Sequence, residues 1–147
     1  MARITEQLDV PLSPERAFDH VADFTTTADW DPGITAAERI DAGVFGLGSR
    51  FRVKLALGAA RLPLVYEITT YERPYRVVLT TRSIAHIGED DVTFEATDDG
   101  TLVTWNAMFA LRGPGRLLDP ALGVGFRRTA KEAVAGLEVS LRALAAS

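Results

Sequence analysis

Asp99-Gly100-Thr101-Leu102-Val103-Thr104-Trp105-Asn106-Ala107-Met108-Phe109-Ala110-Leu111 is the stretch that decides the fold. Val103, Trp105, Ala107, Phe109 and Leu111 fall on one side of an extended chain, and Leu102, Thr104, Asn106, Met108 and Ala110 on the other. That period of two is the period of a strand. Asp99-Gly100 suits a tight hairpin before it, because glycine accepts the positive φ that such turns require. After Gly113-Pro114-Gly115 the period changes, and Phe126, Ala130, Val134, Leu137, Leu141 and Leu144 recur in steps of four and three. A long amphipathic helix therefore follows the last strand. Arg128 with Glu132, and Glu138 with Arg142, sit four residues apart on its other faces and mark them as solvent-facing. The apolar stripe is short for a coiled coil, so the helix is expected to pack within the chain. The glycine-rich piece from Gly113 to Gly125 reads as a mobile, lid-like loop.

Upstream, residues 34–111 divide into short β-rich runs at Gly43 to Gly48, Gly58-Ala59-Ala60, Arg73-Pro74 and Asp98-Asp99-Gly100, a rhythm of antiparallel hairpins. Phe51, Val53, Leu55 and Leu57 alternate with Arg50, Arg52, Lys54 and Ala56, which gives one covered and one wet face. Leu62, Leu64, Tyr66, Ile68 and Thr70 continue the covered face, as do Val77, Leu79, Thr81 and Ser83. His86, Asp90, Val92 and Phe94 join them if no bulge intervenes near Gly88. At the other end, Pro11-Leu12-Ser13-Pro14-Glu15-Arg16-Ala17-Phe18 opens a helix: Ser13 caps its free amides, Pro14 fits the first position and Glu15 faces the positive end of the dipole. The order is strand, two short helices, about six strands, long helix. Layer logic lays that helix across the apolar face of a curved antiparallel sheet, an α+β architecture.

Bulk properties narrow the function. At 147 residues the chain is the size of one domain, expected to span 1–147, with 47% hydrophobic and 24% charged residues. No run is long enough to cross a bilayer, and Met1-Ala2-Arg3-Ile4-Thr5-Glu6 lacks the apolar core of a secretory signal, so a cytoplasmic protein without stable membrane insertion is expected. Without cysteine there are no disulfides, thiolate nucleophiles or cysteine-ligated metals. A net charge of -4 and scattered arginines argue against nucleic acid as a partner. Two well-separated histidines, no EF-hand pattern and no P-loop, dinucleotide fingerprint or G-x-S-x-G leave no metal or cofactor indicated.

Ordered along the chain, Val10-Pro11, Ser13 to Phe18, Ala22-Asp23-Phe24, Trp30-Asp31-Pro32-Gly33, Gly46-Leu47-Gly48, Tyr71-Glu72-Arg73-Pro74 and Gly100 to Trp105 resemble the START-like (SRPBCC) superfamily, with its polyketide cyclase/dehydrase-like ligand-binding proteins. The resemblance covers essentially the full length. It implies a helix-grip fold, a curved sheet of about six to seven strands wrapped on the C-terminal helix. It also implies a deep apolar cavity, with the short helices and the loop before the long helix near its mouth. In that setting the expected ligand-binding positions are Trp30 as a cover, Phe51 and Val53, then Tyr66, Ile68, Leu79, Thr81 and His86. Trp105, Ala107 and Phe109 from the last strand, with Leu122 and Phe126 beyond it, complete them. Read from the residues alone, the same side chains could equally fill a core.

His86 is the first acid/base candidate, since its pKa suits proton transfer near neutrality and strand parity turns it inward. Tyr66 and Trp105 can each present an apolar ring with a polar tip. His20 lies beside Asp19 on a face expected to be exposed. Asp29 and Asp31 around Trp30, and Asp90-Asp91 after Glu89, read as solvated turn acids. Two functions follow. The first is a carrier or sensor for a small hydrophobic or amphipathic molecule, such as a lipid, isoprenoid or polyketide-like compound, anchored by Tyr66, Thr81, His86 and Trp105. The second is a polyketide aromatase/cyclase that orients a poly-β-keto chain and moves protons through Tyr66 and His86. The resemblance implies an inward arginine for that chemistry, whereas Arg50, Arg52, Lys54 and Arg82 fall on the outer side. A monomer or homodimer fits either function, and no protein-binding surface stands out.

Overall fold

Ser13 accepts a hydrogen bond from the Arg16 amide at 3.3 Å, and with Pro14 in the first turn it opens helix α1 (Pro14–Ala22) directly behind strand β1 (Ala2–Val10). A 3-10 turn (Phe24–Thr26) and helix α2 (Thr27–Trp30) follow, then strands β2 (Ile34–Arg39), β3 (Arg50–Leu57), β4 (Ala60–Glu72), β5 (Arg76–Arg82), β6 (His86–Ala96) and β7 (Thr101–Leu111). A second 3-10 turn (Gly113–Leu118) leads into helix α3 (Asp119–Ala146). This computed structural model describes residues 1–57 and 59–147; for Leu57, Asp119, Ala121 and Leu122 it describes the backbone alone. Gly58, in the turn expected between β3 and β4, lies outside the described residues.

The seven strands form one antiparallel sheet in the order β1-β7-β6-β5-β4-β3-β2. It is curled into a half-barrel around α3, with α1 and α2 carrying the chain from one edge strand to the other. No register shift occurs at Gly88, so β6 keeps its parity and His86, Gly88, Asp90, Val92 and Phe94 all face inward. A larger residue at position 88 would force its neighbours to shift: a Cβ on Gly88 would lie 2.9 Å from the Thr81 methyl and 3.0 Å from the Phe109 ring.

Two expectations are corrected. The Gly113 to Gly125 piece is not a free loop, because Gly113–Leu118 forms a 3-10 turn and the helix begins at Asp119, where Pro120 supplies the backbone angle of a first turn. His20 is half-buried rather than exposed. Its Nε2 lies 3.0 Å from Ser140 Oγ on α3, and burial lowers its pKa.

The interior is packed at one end of the sheet and open at the other. At the packed end Phe18 meets Tyr71 and Phe94 edge-on, at centroid distances of 5.2 and 5.3 Å, and Leu137 and Leu141 of α3 close over Val77, Val92 and Val103. At the open end α3 offers Thr129, Ala130 and Ala133 between Phe126 and Val134, and no leucine among the described side chains. The segment from Trp30 to Gly33 runs against α3 at two points two helical turns apart. A Cβ on Gly136 would collide with the Trp30 carbonyl oxygen, and one on Gly33 would come within 2.9 Å of the Thr129 methyl.

Candidate functional site

Because small residues of α3 face the open end of the sheet, a cavity remains between them. Its volume, measured as the space in which the centre of a water-sized sphere can move, is about 120 Å³. A single water needs about 10–15 Å³ by that measure, so several waters or a small organic molecule fit. The wall is largely apolar: Ile4, Phe24, Trp30, Ile34, Val53, Leu55, Leu64, Trp105, Ala107, Phe109, Phe126 and Val134 all contribute.

Of the residues expected to contact a ligand, the structure brings Trp30, Val53, Tyr66, Trp105, Ala107, Phe109 and Phe126 together around this space. It places Phe51, Ile68 and Leu79 elsewhere. All three face inward as their parity requires, but each is 0% exposed in the packed core, where Phe24, α1 and the leucines of α3 occupy the space above them. Trp30 forms an inner wall, buried and edge-on to Trp105 at 5.8 Å, with its Nε1 donating to Thr26 Oγ1 at 3.0 Å. The Leu122 side chain lies outside the described residues.

Thr81 and His86 form a separate polar pair. His86 Nε2 lies 3.0 Å from Thr81 Oγ1 and Nδ1 lies 2.8 Å from Ser83 Oγ, so both ring nitrogens are engaged. The imidazole stacks on Phe109 at 5.6 Å, and it is Phe109 that lines the cavity. Burial lowers the His86 pKa, which favours a neutral ring.

The polar part of the wall comes from Glu6, Thr27, Asp31, Tyr66, Asp90 and Thr129. The assignment of Asp31 and Asp90 to solvated turns is therefore corrected. Asp90 stands in mid-strand between Leu79 of β5 and Ala107 of β7, and the small alanine leaves room for its carboxylate to reach inward. Trp105, two residues from Ala107 on the same face, donates to Asp90 Oδ1 at 2.9 Å. Burial raises Asp90 to about 7, opposed by the Trp105 hydrogen bond and reinforced by the charges of Asp31 and Glu89. Asp31 ends α2, and its Oδ1 accepts the Gly33 amide at 2.8 Å. Burial also raises its pKa, to about 6, with Glu132 of α3 adding to the effect.

Tyr66 is partly buried, its ring edge-on to Phe24 at 5.2 Å, and desolvation, with the charges of Asp90 and Asp31, keeps its hydroxyl protonated. Among the described residues no hydrogen bond is made by the Tyr66 hydroxyl or by the second oxygen of Asp31 or Asp90. No buried side-chain nitrogen or oxygen there is both sealed and unpartnered. Each of these three oxygens consequently keeps some accessible surface, and all three residues line the cavity. Strand parity turns Asp90 inward, and that is the one sequence signal able to locate it. Asp31 has none.

A half-barrel sheet gripping a long helix over an apolar cavity defines the START-like, helix-grip class. The chain belongs to the family described as polyketide cyclase / dehydrase and lipid transport, whose model matches residues 1–146. Among solved structures it is similar to a START superfamily protein from Mycobacterium smegmatis (TM-score 0.80, 15% identity, 98% of this chain and 99% of that one). It is also similar to the Zhui aromatase/cyclase from Streptomyces sp. R1128 (TM-score 0.77, 12% identity, 95% and 92%) and to TTHA0849 from Thermus thermophilus (TM-score 0.77, 20% identity, 99% and 98%). At these identities the likeness is one of fold. No curated protein matches the chain in sequence. Among the described residues no helix is long and apolar enough to cross a membrane, and no group of three or more histidine, aspartate or glutamate side chains is arranged to hold a metal ion.

Proposed function

We propose that the chain acts as one ligand-binding domain whose cavity takes a small amphipathic molecule, as a carrier or sensor. The observation that carries this reading is the apolar cavity itself, with unpartnered oxygens of Tyr66, Asp31 and Asp90 at its wall. An apolar pocket with a few convergent polar groups is the usual form of a small-molecule site. Trp105 is a wall group, its indole committed to Asp90, while Thr81 and His86 support the wall from behind Phe109. The test is saturable binding of the neutral apolar dye Nile red, together with mass spectrometry of small molecules extracted from protein purified from its native host. Ala107→Trp, which fills the cavity, should abolish dye binding while the protein stays folded. Dye binding unchanged in that variant would overturn the assignment.

One observation favours aldol cyclisation of a poly-β-keto chain as a second reading. A carboxyl group near neutrality and a protonated tyrosine share one cavity wall, a pairing suited to moving protons. In that case Asp90 and Tyr66 carry the chemistry, because both His86 nitrogens are occupied outside the cavity wall. Arg50 and Arg52 lie outside, half-exposed, so no arginine polarises a ketone within the wall. Turnover of a poly-β-keto mimic that disappears in Asp90→Asn and in Tyr66→Phe, but persists in His86→Ala, would establish it.

A further inference from the structure

We propose that the ligand carries an amine, bound as its cation against Asp90 and Asp31 with the Tyr66 hydroxyl beside it. The inference rests on the cavity-binding reading above and specifies the polar end of the ligand. The cavity wall includes three carboxyl side chains, Glu6 from β1, Asp31 from the end of α2 and Asp90 from β6, and no lysine, arginine or histidine. Its unpartnered atoms are two carboxyl oxygens and one hydroxyl oxygen, all able to accept. An ammonium group offers donors together with positive charge, and charge-assisted hydrogen bonds in a dry site are the strong ones. An anionic head group would face the like charge of Asp31 and Asp90 with only hydroxyl donors such as Tyr66 to offset it.

The charges around the two acids act in the same direction. Asp90 feels Asp31 and Glu89, and Asp31 feels Glu132 from α3, so the charges that act on these two acids are negative. Tyr66 from β4 stays neutral and Trp105 from β7 gives only its indole N–H. A cation entering this space relieves repulsion already present in the empty cavity. It also draws the protons off both carboxyl groups, so its affinity rises with pH through the range from about 6 to about 7 where they titrate.

Three probes with the same apolar body separate the possibilities: 4-butylbenzylamine, 4-butylacetophenone and 4-butylbenzoate, each titrated by calorimetry into the 147-residue protein at pH 7.5. The amine is expected to bind about tenfold more tightly than the ketone, with the benzoate weakest. Calorimetry repeated at pH 6.5 in two buffers of different ionisation heat should show proton release by the protein on amine binding and none on ketone binding. Asp31→Asn and Asp90→Asn should each weaken the amine by about tenfold and leave the ketone within about twofold, which a merely structural role would not do. Equal or tighter binding of the ketone or benzoate overturns the amine assignment and leaves the cavity reading standing. So does an amine preference that survives in the folded double variant. Failure of all three probes to saturate overturns the cavity reading itself, and the amine assignment with it.

Discussion

Two residues along a strand separate the packed end of this interior from the open end. On β3 the step is from Phe51 to Val53, on β4 from Ile68 to Tyr66, on β6 from Val92 to Asp90, and on β7 from Val103 to Trp105 and Ala107. Sheet and parity are the same on both sides of the step. The layer above differs: α1 with Leu137 and Leu141 of α3 covers one end, and Phe126, Thr129, Ala130, Ala133 and Val134, three of them small, cover the other. Whether an inward residue builds core or cavity is therefore set by the helix that faces it.

The largest test of that contrast is truncation at equivalent depth. Phe18→Ala, at the packed end, should cost about 3–5 kcal/mol in denaturant unfolding, whereas Leu64→Ala, as deeply buried but on the cavity wall, should cost only about 2 kcal/mol because space is already present there. Similar losses at both ends would break the distinction. Next in size is the effect of the buried acid. Its raised pKa means that the folded state holds a proton the unfolded chain has lost, so the Asp90 contribution is most unfavourable above pH 7 and vanishes below the unfolded value near 4. Asp90→Asn, which can still accept from Trp105, should stabilise the protein by about 2–4 kcal/mol at pH 8 and leave it unchanged at pH 4. A gain independent of pH would mean that burial of the charge is not the cause.

His86→Gln sharpens the boundary, since it alters the inner face without altering the cavity wall. A loss of about 1–2 kcal/mol in stability with ligand affinity kept within about twofold is expected, from the broken bonds to Thr81 and Ser83. Smallest in stability but decisive for binding is Ala133→Leu, which gives α3 at the open end the residue type it carries at the packed end. Its stability should change by no more than about 1 kcal/mol, while Nile red affinity falls at least about tenfold.

Much of the architecture was legible in the sequence because its signals are local and periodic. The alternation of Val103 to Leu111, the cap at Ser13 and the stripe from Phe126 to Leu144 each report their own element. The site was less legible. Parity names the inner face, yet it cannot separate Phe51 from Val53 or Ile68 from Tyr66, because the volume above each is supplied by residues far away in sequence. Asp90 was obscured by a conflict between two rules: position turned it inward, while the cost of burying a carboxylate argued for solvent. Trp105 and the open space beside Ala107 reconcile them, a tertiary arrangement that neither residue announces alone. Ala130 was present in the same helical stripe as the leucines, with Thr129 and Ala133 each one position before a stripe residue, and their small size was the available clue to empty space.

Gly136 and Gly33 have a consequence for traffic through the molecule. They bring the Trp30 to Gly33 segment against the face of α3 at two levels, close enough that a single added carbon at Gly136 would strike backbone. Such a seam is a weld in the packing: at these two levels no ligand-sized gap separates the pieces it joins. Cargo reaching Asp31 and Asp90 must therefore pass by a route that leaves this weld intact. The part of the wall opposite it, where the strands bear on the first turns of α3, is where solvent exchange should quicken when the chamber fills or empties.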